Sequence, residues 1–317
     1  MNKVATFHSK ETRMKSDHPA YSPNPKNSFK IKALMALLLC TPGAALAVTG
    51  HYVPGVAEVK GSSVPPPGTY YRGYAVRYEI NQLSDNNGNA VPGNNTGSVT
   101  ALANRFIHIT DKKFLNADYG FDIIIPILHN SLDFNISGID SSDGGVGDIF
   151  VGPVILGWHG QQWDAVFASG VWFDTGSTSE PTSPGKGYKS TMITLGSTFY
   201  PDAAKTWSFS ALSRYEINFD DDKGIDRGDS WLVEWGLGKR LDNGIQLGLL
   251  GYDGWQLEEN TGGDSVPGKR EKHALGLEAS YFWPNLGFGM SAAYLNEYEV
   301  KNGPQGDLFR INMTKVF

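Results

Sequence analysis

From residue 69 to the end, the chain is a succession of segments in which apolar and polar side chains alternate. Twelve such segments lie near 69–83, 98–112, 116–128, 146–158, 162–174, 189–200, 205–218, 229–241, 244–258, 270–283, 286–300 and 307–317. A period of two is the pattern of a strand with one apolar face. Most of the segments are longer than the roughly 5–6 residues of a globular strand and suit the roughly 9–11 or more that a tilted membrane-crossing strand needs. The connections are sorted by length. "SDNNGNAVPGNNTG", "HNSLDFNISGIDSSDGG", "TGSTSEPTSPGKGY", "DDDKGIDRG" and "ENTGGDSVPG" follow odd segments, whereas "DKK", "HGQ", "PDAAK", "DNG" and "PN" follow even ones. Long loops at one rim and short turns at the other are the layout of an outer-membrane barrel with both termini periplasmic. A soluble sandwich has no reason to sort its loops in this way.

The expected fold is therefore all-β: a transmembrane antiparallel up-and-down β-barrel of about 12 strands over residues 69–317. The loops 84–97, 129–145 and 175–188 are expected outside the cell. Residues 48–68, with Pro54, Gly55 and Pro65 to Pro67, are too irregular for a strand. Tied to the periplasmic rim, they form either a tail or a plug folded into the bore.

Parity assigns the two faces. Tyr119, Phe121, Ile123, Ile125 and Ile127 share one parity and Asp118, Gly120 and Asp122 the other. Ile149, Val151 and Ile155 are read as outward against an inward Asp148. Trp207, Phe209, Tyr215 and Ile217 oppose Ser208, Arg214 and Glu216, while Trp231, Val233 and Trp235 oppose Glu234 and Arg240. Charge inside and oil outside is the barrel rule. The second segment resists it, because Arg105 lies on the parity of Val99, Ile107 and Ile109. Tyr70, Tyr71, Trp158, Trp163, Trp207, Trp283 and Phe317 fall near the short-turn rim, as an interfacial aromatic girdle does. The chain ends "LFRINMTKVF", a strand running to its last residue, with Lys315 alone breaking the apolar row. Phe317 is read as the signal by which the barrel-assembly machinery recognises the chain.

The other end carries an export pattern. A basic stretch precedes the apolar run "ALMALLLC", and "TPGAALA" places small residues where a signal peptidase reads, with cleavage between Ala47 and Val48. Residues 1–47 are thus a signal peptide, and the expected location is the outer membrane of a Gram-negative bacterium. Cys40, the single cysteine, is lost with the leader, and with it any thiol nucleophile or thiolate metal site. Seven of the 27 Lys and Arg lie before residue 48 against two of the 33 Asp and Glu, so the remainder is more acidic than the formal −6 of the whole chain. Nucleic acid is excluded as a partner on that ground.

The same parity places Arg77, Glu79, Asp118, Asp122, Asp148, Asp164, Arg214, Glu216, Glu234, Arg240, Lys272, Glu278 and Arg310 in the lumen. A mixed-sign lining of this kind either forms paired ladders that hold the barrel or serves as a polar conduit. Closure requires the last strand to pair with the first, and Arg310 is then expected to approach Glu79. His159, on a short turn, reads as an interfacial histidine before a catalytic base. Asp220, Asp221, Asp222 and Asp226 could attract Ca²⁺ but lack the spacing of an EF-hand. No nucleophile elbow, HExxH, Walker loop or dinucleotide fingerprint occurs, so no catalytic residue, metal or cofactor is assigned.

Several stretches are similar to a family of bacterial outer-membrane proteins named for the meta-cleavage pathway of phenol degradation. They are "GHYVPGVAEVKGSSVPPPGTYYRGY" (50–74), "DYGFDIIIPIL" (118–128), "GVGDIFVGPVILGWHGQQWDA" (145–165), "FSALSRYEIN" (209–218) and "GDSWLVEWGLGKRL" (228–241). The resemblance implies a membrane barrel that carries aromatic or other hydrophobic compounds inward. The expectation is a monomeric passive channel without a cofactor, with outer-membrane lipids and a small hydrophobic or aromatic solute as its partners. A structural or adhesive barrel and an outer-membrane enzyme stand as alternatives.

Overall fold

The computed structural model describes residues 50–317, apart from 222, 223, 264 and 266. The proposed leader, its Ala47 and Val48 cleavage site and Asp222 lie outside the described residues. The strands are β1 (Gly68–Ser84), β2 (Asn95–Phe114), β3 (Ala117–Phe134), β4 (Ile139–Val146), β5 (Ile149–His159), β6 (Trp163–Phe173) and β7 (Ser190–Phe199). They continue as β8 (Trp207–Asn218), β9 (Ser230–Arg240), β10 (Gln246–Gln256), β11 (Glu271–Trp283), β12 (Phe288–Lys301) and β13 (Gly303–Val316). Strands consecutive in sequence pair antiparallel, except that β4 and β5 both pair with β3, and β1 pairs with β13 from Tyr70 opposite Val316 to Ser84 opposite Gly303. The wall closes on itself as a twelve-stave barrel. Closure matters in lipid, where an open edge would leave a row of backbone groups without partners.

The thirteenth strand arises from one stave in two pieces. β4 pairs with the outer half of β3 and β5 with the inner half, and the break falls at Gly147 and Asp148. Residues 129–145, expected as a loop, are instead a hairpin extension of the wall that turns at Asn135–Gly138. The alternation of Leu132 and Phe134, both buried on the inner face, continues the pattern of β3 past the polar residues that suggested a loop.

Phe106, Phe121, Phe209, Leu277 and Phe309 are large, apolar and about half exposed on the outer wall. Side chains of this kind in a continuous band suit lipid and not water. Trp163, Trp207, Trp283 and Phe317 are exposed at the short-turn rim, but Tyr70 is not part of that girdle. It points inward, and its hydroxyl donates to the Pro66 carbonyl at 2.7 Å.

Two face assignments are corrected. Arg77 and Glu79 lie on the outer wall, roughly half exposed, and pair with each other at 2.6 Å. The lumenal parity of β1 is that of Tyr74, Val76 and Tyr78, which is largely apolar, so the rule of charge inside pointed the wrong way there. Ile155 faces the bore because the register shifts between Val151 and Val154, around Pro153, and turns the following residues over. A proline cannot donate to the ladder, and strand prolines accompany such irregularities. Arg310 stands opposite Val76 and reaches inward, away from Glu79.

Candidate functional site: a plugged lumen with two side chambers

Gly50 to Pro67 run through the bore as irregular chain, from the outer end down to the start of β1. A segment without secondary structure must find partners for its backbone groups elsewhere, and burial makes each unmet group costly. The lumenal charges supply them. Glu216 on β8 accepts from the amides of His51 and Tyr52, and Glu234 on β9 accepts from those of Gly55 at 2.9 Å and Ala57 at 3.0 Å. Arg310 on β13 donates to the carbonyls of Gly55 at 2.7 Å and Ala57 at 2.8 Å, and to Glu278 at 2.6 Å. Glu278 in turn accepts from the amide of Val59. The charged lining is thus neither a bare conduit nor only a set of wall-to-wall pairs, because it binds the backbone of the plug.

The wall is also shaped for the plug. A Cβ at Gly248 would stand 2.2 Å from Val59, and one at Gly238 2.6 Å, so these two glycines leave the hollow that Val59 fills. Nearer the short-turn rim, Ser63 donates to Asp164 at 2.8 Å, and Asp164 also accepts from the Tyr200 hydroxyl at 2.6 Å. His159 lies between Asp164 at 3.0 Å and Asp118 at 3.6 Å, as a turn histidine bridging two carboxylates.

At the outer end, His51 stacks on Trp172 and lies 3.3 Å from Asp148 and 2.8 Å from Ser190. The loop 174–189 folds over it, and Lys186 donates to the Gly50 carbonyl. Burial drives the Lys186 ammonium down to about 7, against the opposing pull of Glu216. Ser190, His51 and Asp148 resemble a triad in composition only. Ser190 is fully buried and its hydroxyl is 2.5 Å from Glu216, so the group is a latch.

Of the remaining lumenal assignments, Lys272 belongs to an enclosed outer knot with Glu297 and the Tyr78 hydroxyl. Arg240 sits exposed at the short-turn mouth, donating to the Ala204 carbonyl. Asp221 is engaged by Arg227 and the amide of Ile225 within its own loop. Among the described residues no cluster of metal-ligating side chains occurs.

The plug does not fill the bore. Along β1, β2, β3 and β5 to β8 it leaves two chambers, of about 120 and 460 Å³. The outer one is lined by Val53, Val76, Val99, Ala101, Pro126 and Leu128, and the inner one by Val64, Ile107, Ile109, Ile155, Val166 and Leu212. The parity conflict in β2 is thereby resolved: Val99, Ala101, Ile107 and Ile109 are buried toward the bore, and Arg105 stands among them. Sequence reasoning left Arg105 without a place and missed Arg72, Glu58 and Tyr52. The signal that pointed to the waist was Arg105 itself, a charged residue set inside the apolar row from Val99 to Ile109.

With this geometry in hand, the chain can be set beside known proteins. The family described as "Putative MetA-pathway of phenol degradation" matches residues 80–313. The chain belongs to this family. Among solved structures, an outer membrane channel from Pseudomonas putida F1 is similar in fold, with a TM-score of 0.72 at 15% identity, over 84% of this chain and 100% of that one. A Pseudomonas aeruginosa FadL homologue matches at TM-score 0.42 and 11% identity, over 87% of this chain and 97% of that one. The CymD monoaromatic hydrocarbon channel matches at TM-score 0.42 and 11% identity, over 79% and 89%. No curated protein matches. The phenol-degradation family thus comes with a barrel whose fold is that of a Gram-negative outer-membrane channel.

Proposed function

We propose that this barrel is an outer-membrane channel through which small hydrophobic or aromatic compounds enter by passive diffusion. The observation that carries the reading is the pair of apolar chambers held open between the plug and the β1–β3 wall. A water-filled porin lumen is polar, whereas here the inner chamber has the volume and apolar lining of a small-molecule site. The family's tie to phenol degradation agrees with such a solute. Export with cleavage after Ala47, recognition of Phe317 during assembly and action as a monomer belong to the same proposal. A wall that closes on itself needs no second copy to complete it.

An adhesive barrel has no need of internal chambers, and a rim enzyme would need its nucleophile exposed, which Ser190 is not. The test is growth of a deletion strain on a panel of aromatic carbon sources at limiting concentration. Wild-type gene should restore growth, and Ala168→Trp, which fills the inner chamber, should not. Equal growth of the deletion strain on every source would overturn the proposal.

A further inference from the structure

The two chambers meet at a polar waist. Arg72, Arg105 and Arg214 line both of them, with Tyr52 beside them. Arg72 on β1 and Arg105 on β2 are direct cross-strand partners, and like charges placed opposite each other on neighbouring strands destabilise a sheet. Each has one carboxylate to offset this: Glu58 of the plug lies 2.6 Å from Arg72, and Asp122 on β3 lies 2.6 Å from Arg105. Arg214 is paired with Glu234 and lies flat on the Tyr52 ring, 3.8 Å from its centroid.

What is left over at the waist is donors. Arg72 uses Nε on Thr314 and one terminal nitrogen on Glu58, and its guanidinium also meets the Tyr74 hydroxyl. Arg105 uses Nε on Asp122 and reaches the Tyr74 hydroxyl with Nη1 at 3.5 Å, leaving Nη2. Arg214 uses only Nη1, leaving Nε and Nη2. The carboxylates have far less spare capacity. Both oxygens of Glu234 and both of Glu58 are engaged by plug, wall or guanidinium donors. A group entering the waist therefore meets unused N–H donors on Arg105 and Arg214, with the second oxygen of Asp122 the carboxylate acceptor left over, flanked on either side by apolar wall.

We propose that this waist is a binding site for the head of an amphipathic organic anion, a carboxylate carried on a small aromatic or aliphatic body. The carboxylate takes the open guanidinium edge of Arg105, with Arg72 and the unused donors of Arg214 beside it, and the apolar body lies in one of the chambers. A neutral hydrocarbon gains nothing from these donors, and an ammonium head is repelled by them. The inference rests on the channel reading and narrows its solute class.

The test uses folded protein in lipid nanodiscs, with empty nanodiscs as the blank. Three probes share one body: 4-butylbenzoate, 4-butylbenzyl alcohol and 4-butylbenzylammonium. Equilibrium dialysis should show the carboxylate bound at least tenfold more tightly than the alcohol, with the ammonium weakest, since a charge-assisted fork to a carboxylate is worth about a factor of ten or more. Arg105→Met should remove most of that preference while changing alcohol binding less than about twofold. Arg105→Lys should restore it only in part, because a point charge lacks the fork. Asp122→Asn removes the negative charge that competes with the ligand for Arg105 and should tighten the carboxylate while leaving the alcohol unchanged, whereas loss of a purely structural ion pair would not separate the two. Heat-modifiable migration on gels confirms that each variant is folded. A carboxylate that binds no better than the alcohol, or an Asp122→Asn protein that does not gain, overturns the anion site while leaving the channel intact. Failure of all three probes to bind would count against the channel reading and the anion site together.

Discussion

Arg310 is the wall cation that holds the carbonyls of the plug, and its removal makes a prediction of definite sign. Its side chain is completely buried and holds four groups at once: the Gly55 carbonyl, the Ala57 carbonyl, Glu278 and the Ser291 hydroxyl. Arg310→Ala deletes two charge-assisted bonds to the plug and strands a buried carboxylate. Breaking a buried pair from one side costs about 3–5 kcal/mol. If roughly 3 kcal/mol of that falls on docking of the plug, the undocked population rises by about two orders of magnitude. Glu278→Gln is the comparison, because it leaves the Arg310 bonds to Gly55 and Ala57 in place while removing the charge beneath them and one of the two acceptor oxygens that serve Arg310 and the Val59 amide. The reporter is a cysteine at Val59, which is 1% exposed in the glycine hollow and can be labelled only when the plug leaves it. The leader takes the one native cysteine with it if cleavage follows Ala47. Maleimide labelling of Val59→Cys in the folded barrel should be about a hundredfold faster in the Arg310→Ala background and only a few-fold faster with Glu278→Gln. Equal rates in the two backgrounds would refute the claim that the guanidinium seats the plug. A loss of folded barrel in Arg310→Ala would place the energy in the wall instead.

Other expectations follow from the same contacts. Gly248→Leu should push Val59 out of its hollow and raise single-channel conductance in planar bilayers, and Val59→Gly in the same chain should return it toward the wild-type value. Cysteines at Ala75 and Ile311, direct partners across the seam, should cross-link on oxidation in folded protein, and failure to do so would deny closure. Tags inserted in 84–97 or 175–188 should be reachable on intact cells and a tag at 242–244 should not, the reverse pattern inverting the topology. The Lys186 ammonium is held near 7 in the folded loop and near its ordinary 10.5 when the loop is undocked. The docked state therefore binds fewer protons between those values, so docking strengthens as pH rises through that window and carries its full cost below about 7. Hydrogen exchange of amides 176–188, corrected for intrinsic rate, should accordingly slow from pH 7 to 9, and Lys186→Met should flatten the trend.

How much of this was legible beforehand depends on what kind of pattern each feature leaves. The staves, their order and the seam were open to reading, because lipid on one side imposes alternation on Tyr119 to Ile127 or on Phe309 to Met313 whatever the lumen contains. The hairpin at 129–145 was missed for a related reason. Beyond the membrane the outer face meets water, so Asp133 and Asp140, directly paired across the two strands, no longer look like a wall. Arg77 and Glu79 were misplaced by the same change of solvent at the outer end of β1. Ile155 was misplaced because a single irregular residue near Pro153 inverts every parity after it. The plug left no periodic trace at all, since most of its backbone amides and carbonyls are met by side chains more than 150 residues away.

That last point explains the unusual distribution of charge within one lumen. Where the plug lies against β8, β9, β11 and β13, the wall presents Glu216, Glu234, Glu278 and Arg310, and an irregular backbone requires such groups on every side that it touches. Where the plug does not touch, along β2 and the facing parts of β3 and β5 to β7, nothing demands polarity, and the wall turns to Val, Ala, Ile and Leu. Within that second wall a charged residue has no plug backbone to serve. Arg105 is such a residue, placed opposite a second arginine and in reach of Asp122, which meets its Nε but not its Nη2 edge. A position whose charge is costly to the sheet and unneeded by the plug has its remaining use in what passes between the chambers. If Arg105 served only the wall, then replacing Arg105 and Asp122 together by Met and Leu should be neutral or stabilising and leave solute binding unchanged. The expected result is instead a barrel at least as stable to heat, with its preference for a carboxylate over the matching alcohol gone.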